Sequence, residues 1–298
     1  MKKSAIFSTA VCALIGAASL TSCLDNDDKG TANSFTVQML ANKNFIAVKD
    51  LQTNNWQSYP GSAATMLYDF KAGTMNMSVQ NLQFAENKTA TFSIPQLSIS
   101  FDANGAYICK GNGPYTVSVA GAPSYVTNVY SYLRLPATAP SIFDLSFTID
   151  DRYMVQMVPA INYFAGTTRI INTRDDKQFT TERTYYNLEI DQKTGKAELY
   201  AFEAQFVESM PSLKCLSWAG LDYELTDNGI VFSAANVIPN TVTFKNDGSV
   251  DKRTPQPAYA CTDVLGTMSV ARNLTFTYDC TALGKASFFG TPMVEYKN

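Results

Sequence analysis

Carboxylates and cysteines are the residues most able to do chemistry in this chain, because its 298 residues include no histidine. Histidine is the usual general base for serine and cysteine nucleophiles and the commonest metal ligand. Its absence argues against triad hydrolases and zinc enzymes. Two carboxylates could still hydrolyse a glycoside, and Asp150 and Asp151 are the nearest approach to a pair. Adjacent strand residues point to opposite faces, so these two cannot jointly flank a bond. Asp150 recurs as Asp279 in the second half of the chain, which suggests a turn role for it instead.

Sequence motifs give no support for a specific reaction. The chain has no G-x-S-x-G, P-loop or dinucleotide fingerprint in the strand-to-helix setting that each requires. We therefore predict a non-enzymatic protein with no cofactor and no metal site. A carboxylate-dependent hydrolase is the less favoured alternative.

Four cysteines could form a disulfide: Cys109, Cys215, Cys261 and Cys280. They allow three pairings and contain no C-x-x-C spacing, so a metal site would need all four sulfurs to converge. We expect either buried thiols or one disulfide, with Cys261 and Cys280 as the favoured pair.

Aromatic side chains are the better candidates for ligand contact. Trp56 and Tyr59 lie in the polar stretch TNNWQSYPGS, where rings on a loop could stack on a sugar or meet another protein. The alternative is that these rings cap the end of a barrel. Trp218 matches an isoleucine in the other half of the chain, which indicates a core position.

The amino-terminal segment carries an export signal. Lys2 and Lys3 precede an apolar run from Ala5 to Leu20, which is too short to remain as a membrane span. The sequence LTSC that ends at Cys23 resembles a bacterial lipobox, which implies that residues 1–22 are a signal peptide and that Cys23 is lipidated. Two or more acyl chains hold a protein stably on a bilayer without spanning it.

An acidic tether over residues 23–33 follows the predicted lipid anchor. Its cluster Asp25-Asn26-Asp27-Asp28 resembles the surface-export signal of Bacteroidetes lipoproteins, which implies outer-membrane attachment and display on the cell surface. Placement facing the periplasm is the alternative. Loss of Lys2 and Lys3 leaves 21 basic and 26 acidic residues, a formal charge of −5, so nucleic acid is not an expected partner.

The mature chain contains an internal duplication. The segment Leu97–Asn112 aligns with Leu221–Asn236 at a separation of 124 residues, and LSFTID from Leu145 aligns with LTFTYD from Leu274. Upstream, Gln83-Phe84 matches Gln205-Phe206. We therefore predict two related modules, at residues 34–158 and 159–298.

Each module carries the signals of antiparallel β-hairpins. The apolar residues of the segment 143–149 alternate strictly with polar ones, and Asn-Gly pairs at 104 and 228 suit tight turns. The apolar face slips by one residue at Pro95-Gln96, so a bulge is expected there. The segment 125–133 is ambiguous, because Val126, Val129, Tyr130 and Leu133 would line one face of a short helix.

An all-β fold of two tandem antiparallel modules follows from these patterns. The strands and turns of residues 78–113 resemble the calycin-like β-barrel domains of Bacteroidetes lipoproteins, which implies small barrels. A sandwich, or an elongated pairing similar to the BPI-like fold, is left open. The expected role is binding of a glycan, peptide or protein at the cell surface. The calycin-like resemblance implies the alternative of a carrier for an apolar ligand.

Overall fold

The computed structural model describes residues 18–21, 34–103, 105–134, 142–208, 210 and 212–293. The described chain is all-β and contains two antiparallel sheets without an α-helix, which confirms the predicted fold class. It divides into two compact units between Ile161 and Asn162, three residues beyond the boundary that the duplication predicts. The tether and Cys23 lie outside the described residues.

Twelve strands form the sheet of the first unit within this part of the chain. They are β1 (Ala18–Thr21), β2 (Ser34–Met39), β3 (Asn44–Asp50), β4 (Asn55–Pro60), β5 (Ala63–Asp69), β6 (Thr74–Ala85), β7 (Lys88–Phe101), β8 (Tyr107–Gly111), β9 (Tyr115–Val119), β10 (Ala122–Arg134), β11 (Ile142–Ile149) and β12 (Tyr153–Pro159). Strand β1 lies in the predicted signal peptide and pairs with β2. The strand order is β1-β2-β5-β6-β7-β8-β10-β11-β12-β3-β4, and β9 pairs with β10 and β7.

A single hydrophobic core fills the first unit, since β2, β3 and β5–β12 all contribute buried side chains to it. Strand alternation explains why: on β6, Met75, Met77 and Val79 point inward while the residues between them are more exposed. Such a core supplies most of the driving force for folding.

The described residues of the second unit form eleven strands. They are β13 (Ile161–Ile171), β14 (Gln178–Thr181), β15 (Tyr185–Asp191), β16 (Lys196–Ala204), β17 (Leu213–Thr226), β18 (Gly229–Val237), β19 (Asn240–Phe244), β20 (Val250–Pro255), β21 (Cys261–Ser269), β22 (Leu274–Cys280) and β23 (Gly284–Pro292). Eight of them close into an antiparallel barrel in the order β16-β15-β13-β23-β22-β21-β18-β17, because β17 also pairs with β16. The sequence patterns did not decide between a closed barrel and the alternative arrangements.

Aromatic rings fill the interior of this barrel. Tyr186 lies 4.4 Å from Phe288 and 4.8 Å from Phe276, measured between ring centroids, and Trp218 lies 5.2 Å from Tyr278. All five side chains are at most 4% exposed. Trp218 is therefore a core residue, as predicted.

The two units share the same irregularity, which supports their common origin. In the first, Met77 pairs with Ile94 and Met75 with Leu97, so β7 carries one extra residue between these pairs. In the second, Leu199 pairs with Trp218 and Ala197 with Leu221, which repeats the extra residue on β17. The bulge predicted at Pro95-Gln96 is thus confirmed, and it recurs in the other copy.

One part of the predicted alignment is wrong by two residues. The hairpin registers make Ile149 on β11 equivalent to Cys280 on β22, because these residues pair with Val126 and Cys261 on equivalent strands. LSFTID and LTFTYD therefore match in sequence but not in position. A shift by two residues keeps the same face inward, so alternation alone could not reveal the error.

Residues 125–133 belong to strand β10 and not to a helix. Asn128 has a φ of 53° and lies at a register shift between Thr127 and Tyr130. This bulge puts Val126 and Val129 on the same inner face at a spacing of three, which imitates a helical period.

Candidate functional site

A cleft opens on the first unit between the β3–β4 hairpin and the ends of β6 and β12. Its volume is about 280 Å³. Its lining is Val48, Asp50, Thr53, Asn55, Gln57, Tyr59, Phe84, Ala85, Glu86 and Tyr153. This volume is close to the lower end of the range for small-molecule sites, about 300–1,000 Å³.

Strand β4 supplies one wall of the cleft. Asn55, Gln57 and Tyr59 alternate along the strand and share its cleft-facing side. The Tyr59 hydroxyl donates a hydrogen bond to Oε1 of Gln57 at 2.5 Å. Burial raises the pKa of Tyr59, and the neighbouring Tyr153 adds to the effect, so the phenol remains a neutral donor at physiological pH.

The prediction that Trp56 and Tyr59 lie on a loop is wrong, because both residues belong to strand β4. Positions three apart on a strand point to opposite faces, so the two rings do not share a surface. Trp56 is not among the lining residues of the cleft, and Lys49 Nζ lies 6.0 Å from its ring centroid. Of the two predicted contact residues, the structure places only Tyr59 in the cleft.

Tyr153 forms the base of the cleft. Its ring meets Phe84 edge-on at a centroid distance of 5.4 Å and is only 8% exposed. Two cations also lie near this ring: the Arg152 guanidinium carbon at 4.8 Å and Lys88 Nζ at 5.4 Å from its centroid. These contacts come from β6, from β7 and from the turn before β12, and they hold the ring in place.

An ion pair fixes the rim of the cleft. Arg152 donates from Nη2 to Oδ2 of Asp50 at 2.8 Å and from Nε to both carboxylate oxygens at 3.2 and 3.3 Å. The hydrogen bonds from Arg152 lower the pKa of Asp50, and a bond from the Gln52 backbone N–H contributes. Asp50 therefore stays ionised and paired, whereas a general acid needs a raised pKa.

Asp150 and Asp151 hold a turn and face the neighbouring strand. Asp150 Oδ1 accepts bonds from the Ser124 hydroxyl at 2.5 Å and the Tyr125 backbone N–H at 3.1 Å. Asp151 accepts from the Tyr125 hydroxyl at 3.1 Å and from Thr127 Oγ1 at 3.0 Å. The predicted turn role of Asp150 is confirmed.

All four cysteines of the described chain are free and buried. Cys261 and Cys280 nevertheless stand directly opposite each other on β21 and β22, and their thiols are in hydrogen-bonding contact. The Trp218 indole N–H donates to Cys261 Sγ at 3.3 Å, and that thiol donates to the Tyr259 carbonyl at 3.1 Å. Burial raises the pKa of both Cys109 and Cys215 to about 12, so these two thiols are unreactive.

A second cavity, of about 300 Å³, lies on the second unit and is lined in part by Arg169, Asp263, Asp279 and Lys285. Lys285 Nζ approaches Asp279 Oδ2 at 3.9 Å, and both side chains are well exposed. The opposite charges on this surface largely balance each other, and no aromatic residue other than Tyr278 lines it.

The tyrosine at the base of the cleft has no equivalent side chain at the corresponding position of the second unit. The hairpin registers make Gly284 the equivalent of Tyr153, since the two pair with Cys280 and Ile149 respectively. A Cβ atom at Gly284 would lie 2.1 Å from the carbonyl oxygen of Ile171. No side chain fits there, so the tyrosine that forms the base of the cleft is specific to the first unit.

Comparison with known proteins adds no assignment. The chain matches no protein-family model, and no curated protein is significantly similar to it. Within the described ranges, no helix has the length and apolarity needed to cross a membrane. The same residues contain no cluster of three or more cysteine, aspartate or glutamate side chains that could hold a metal ion.

Sequence reasoning found Tyr59 but missed the residues that complete the cleft. Asp50, Glu86 and Tyr153 are brought together from three distant strands or turns, and none belongs to a recognisable motif. One signal was available in the sequence. If residues 55–59 are assigned to a strand, alternation places Asn55 and Gln57 on the same face as Tyr59.

Proposed function

We propose that this protein is a lipid-anchored lipoprotein of the cell envelope that binds a carbohydrate in the cleft of its first unit, without catalysis. The observation that carries the proposal is the lining of the cleft. Tyr59 and Tyr153 offer aromatic surface, while Gln57, Asn55 and Glu86 offer hydrogen-bonding groups beside it. Sugars present apolar C–H faces and hydroxyls together, and such a mixed lining matches both.

The anchor in this proposal is Cys23, on the lipobox-like sequence that precedes it. The acidic cluster after Cys23 favours display on the outer surface of the outer membrane. A surface-displayed binding protein needs neither a cofactor nor a metal, and the net negative charge of the chain disfavours nucleic acid as its ligand.

A peptide or protein ligand is the second candidate for the same cleft. Strand β4 lies at the end of the strand order of its sheet, and edge strands can pair with an extended peptide. Pro60 cannot donate to such a ladder, and two of the three cleft-facing side chains of β4 are the amides Asn55 and Gln57. These features favour a carbohydrate over an added strand.

The remaining alternatives have weaker support. A carrier of an apolar ligand would need room inside a barrel, and ring-to-ring contacts occupy the interior of the second unit. A carboxylate-dependent hydrolase would need two carboxyl groups free to act on a substrate, and Asp50, one of the two that line the cleft, is engaged by Arg152. The proposed role is therefore binding.

The test uses the chain from residue 24 to 298 on an array of immobilised neutral oligosaccharides, followed by titration calorimetry with the sugars that bind. Tyr59→Ala is expected to weaken binding at least tenfold. Trp56→Ala is the matched control, because it removes a ring from the opposite face of the same strand. Equal losses in the two variants, or binding that survives Tyr59→Ala, would place the ligand elsewhere.

A further inference from the structure

A stack of five aromatic rings runs from the core of the first unit to its surface. Phe35 stacks on Tyr68 with a centroid distance of 4.5 Å and an interplanar angle of 2°. Phe70 follows at 5.1 Å from Phe35, Tyr107 at 4.8 Å from Phe70, and Phe101 at 4.7 Å from Tyr107. We refer to these five residues as the aromatic end.

Exposure increases steeply along the aromatic end. Tyr68 is fully buried, Phe35 is 7% exposed, and Phe101 is 64% exposed. A single exposed phenylalanine is ordinary on a protein surface. Phe101 differs because its ring packs on a series of rings that continues into the core. A ring held in this way loses little conformational freedom on binding.

The predicted tether enters the first unit at this end. Strand β2 begins at Ser34, and Phe35 is its second residue. Ten residues lie between Cys23 and Ser34, so eleven Cα–Cα steps join them. Fully extended, a chain of that length reaches about 40 Å. A lipid on Cys23 would thus hold the aromatic end close to the bilayer surface.

We propose that the aromatic end is a contact with the membrane interface, in which Phe101 enters the headgroup region of the bilayer that holds Cys23. The proposal rests on the lipid attachment in the proposed function. Aromatic side chains are enriched at membrane interfaces. One ring is a weak membrane ligand alone, but the tether makes its insertion an intramolecular event at high effective concentration.

The charges at the aromatic end favour a zwitterionic surface over an anionic one. Asp69 and Asp102 lie at the two turns that carry Phe70 and Phe101, and Lys71 lies beside Phe70, so acidic residues outnumber basic ones at these turns. The Asp69 and Asp102 carboxylates accept backbone bonds from Ala72 and Ala106, each at 2.8 Å, and therefore stabilise the turns. Negative groups in this position would be repelled by anionic lipids.

Membrane contact here would orient the cleft. The β5–β6 and β7–β8 hairpins lie at the aromatic end, whereas the β6–β7 and β11–β12 hairpins lie at the opposite end of the same antiparallel strands. Glu86 and Tyr153, which line the cleft, lie in or next to these opposite hairpins. Insertion of Phe101 would therefore turn the cleft away from the bilayer.

The test places a tryptophan at position 101 and measures its quenching by brominated lipid. The chain from Cys23 to Asn298 carries Phe101→Trp and Trp56→Phe, and Cys23 is coupled to a maleimide lipid in phosphatidylcholine vesicles. Trp218 remains in the barrel interior, where it is 1% exposed. The control is Phe289→Trp in the same background, because Phe289 is 57% exposed on the second unit.

We expect brominated lipid to quench the emission of the position-101 variant at least threefold more than that of the position-289 variant. Equal quenching, or no quenching at position 101 in protein that co-sediments with the vesicles, would overturn the proposal. The maleimide lipid replaces the native anchor, so this result does not depend on whether cells lipidate Cys23. Mass spectrometry of the native protein tests lipidation separately, and oligosaccharide binding tests the cleft.

Discussion

Gln96 and Gly220 occupy the same bend in the two units, and both have positive φ angles, 58° and 77°. Each lies on its long strand between the paired residues that flank the shared bulge. A side chain in this backbone region costs about 1–2 kcal/mol that glycine does not incur. The first copy therefore carries a local strain that the second copy lacks.

Exchange of these residues should move stability in opposite directions. Gln96→Gly is expected to raise the free energy of unfolding by up to about 1 kcal/mol, and Gly220→Gln to lower it by about 1 kcal/mol. A Cβ at Gly220 meets no atom within 4 Å, so its cost is conformational and not steric. Urea denaturation measures both, with Gln96→Ala as a control that retains the strained φ. Destabilisation by Gln96→Gly would contradict this account.

Gly266 makes room for a ring inside the barrel of the second unit. A Cβ at this position would lie 2.1 Å from Cζ of Phe232, which is fully buried. Gly266→Ala is therefore expected to cost about 1–3 kcal/mol through overpacking. Phe232→Leu in the same chain should recover part of the loss. A double-mutant cycle by urea denaturation measures the coupling, and purely additive effects would show that the two sites do not touch.

Cys261 and Cys280 are expected to form a disulfide under oxidising conditions. The bond from the Thr281 N–H to the Ala260 carbonyl makes them a non-hydrogen-bonded pair, the arrangement with the closest side chains. Oxidation by a disulfide-donating oxidoreductase transfers two electrons to that donor and joins the two sulfurs. The closed loop should add about 3 kcal/mol to the free energy of unfolding.

Mass spectrometry after alkylation detects the bond, since two of the four buried cysteines would remain unlabelled in denaturant until reductant is added. Reductant should then lower stability in the native chain and leave the double variant Cys261→Ala with Cys280→Ala unaffected. Labelling of all four thiols in denaturant without reductant, in protein isolated from its own membrane, would refute the pairing.

The ion pair at the cleft rim should contribute to the dependence of the free energy of unfolding on pH under acidic conditions. Arg152 lowers the pKa of Asp50 in the folded state below the unfolded value of about 4. The stabilisation is therefore present above that value and is lost as pH falls through the folded pKa. Asp50→Asn should reduce this acid dependence, and Arg152→Gln should have the same effect because it removes the partner. Unchanged acid unfolding in both variants would contradict a role for the pair.

Local sequence signals predicted much of the fold. Alternation identified strands such as β11, and the slip of the apolar face at Pro95-Gln96 located a bulge. The same kind of irregularity misled the interpretation of β10, because the bulge at Asn128 changed the inward spacing from two residues to three. A bulge leaves no clear local signal where the strand contains no proline and no clear alternation on either side of it.

The cleft was harder to predict because it depends on long-range register. Asp50 and Tyr153 are separated by about a third of the chain, and they meet because β3 pairs with β12. Alternation fixes which face a residue points to but not which strand lies beside it. Tyr59 could be proposed from its polar surroundings, whereas its partners in the cleft required the strand order.

Gly284 has one further consequence for a chain built from two copies. Because no ring can stand where Tyr153 stands in the first unit, the second unit lacks the aromatic base of the cleft. Under the proposed function, the duplication therefore supplies one such cleft and not two. Tight adhesion of the proposed lipoprotein to a polymer would then come from many molecules on one membrane, each contributing one weak contact.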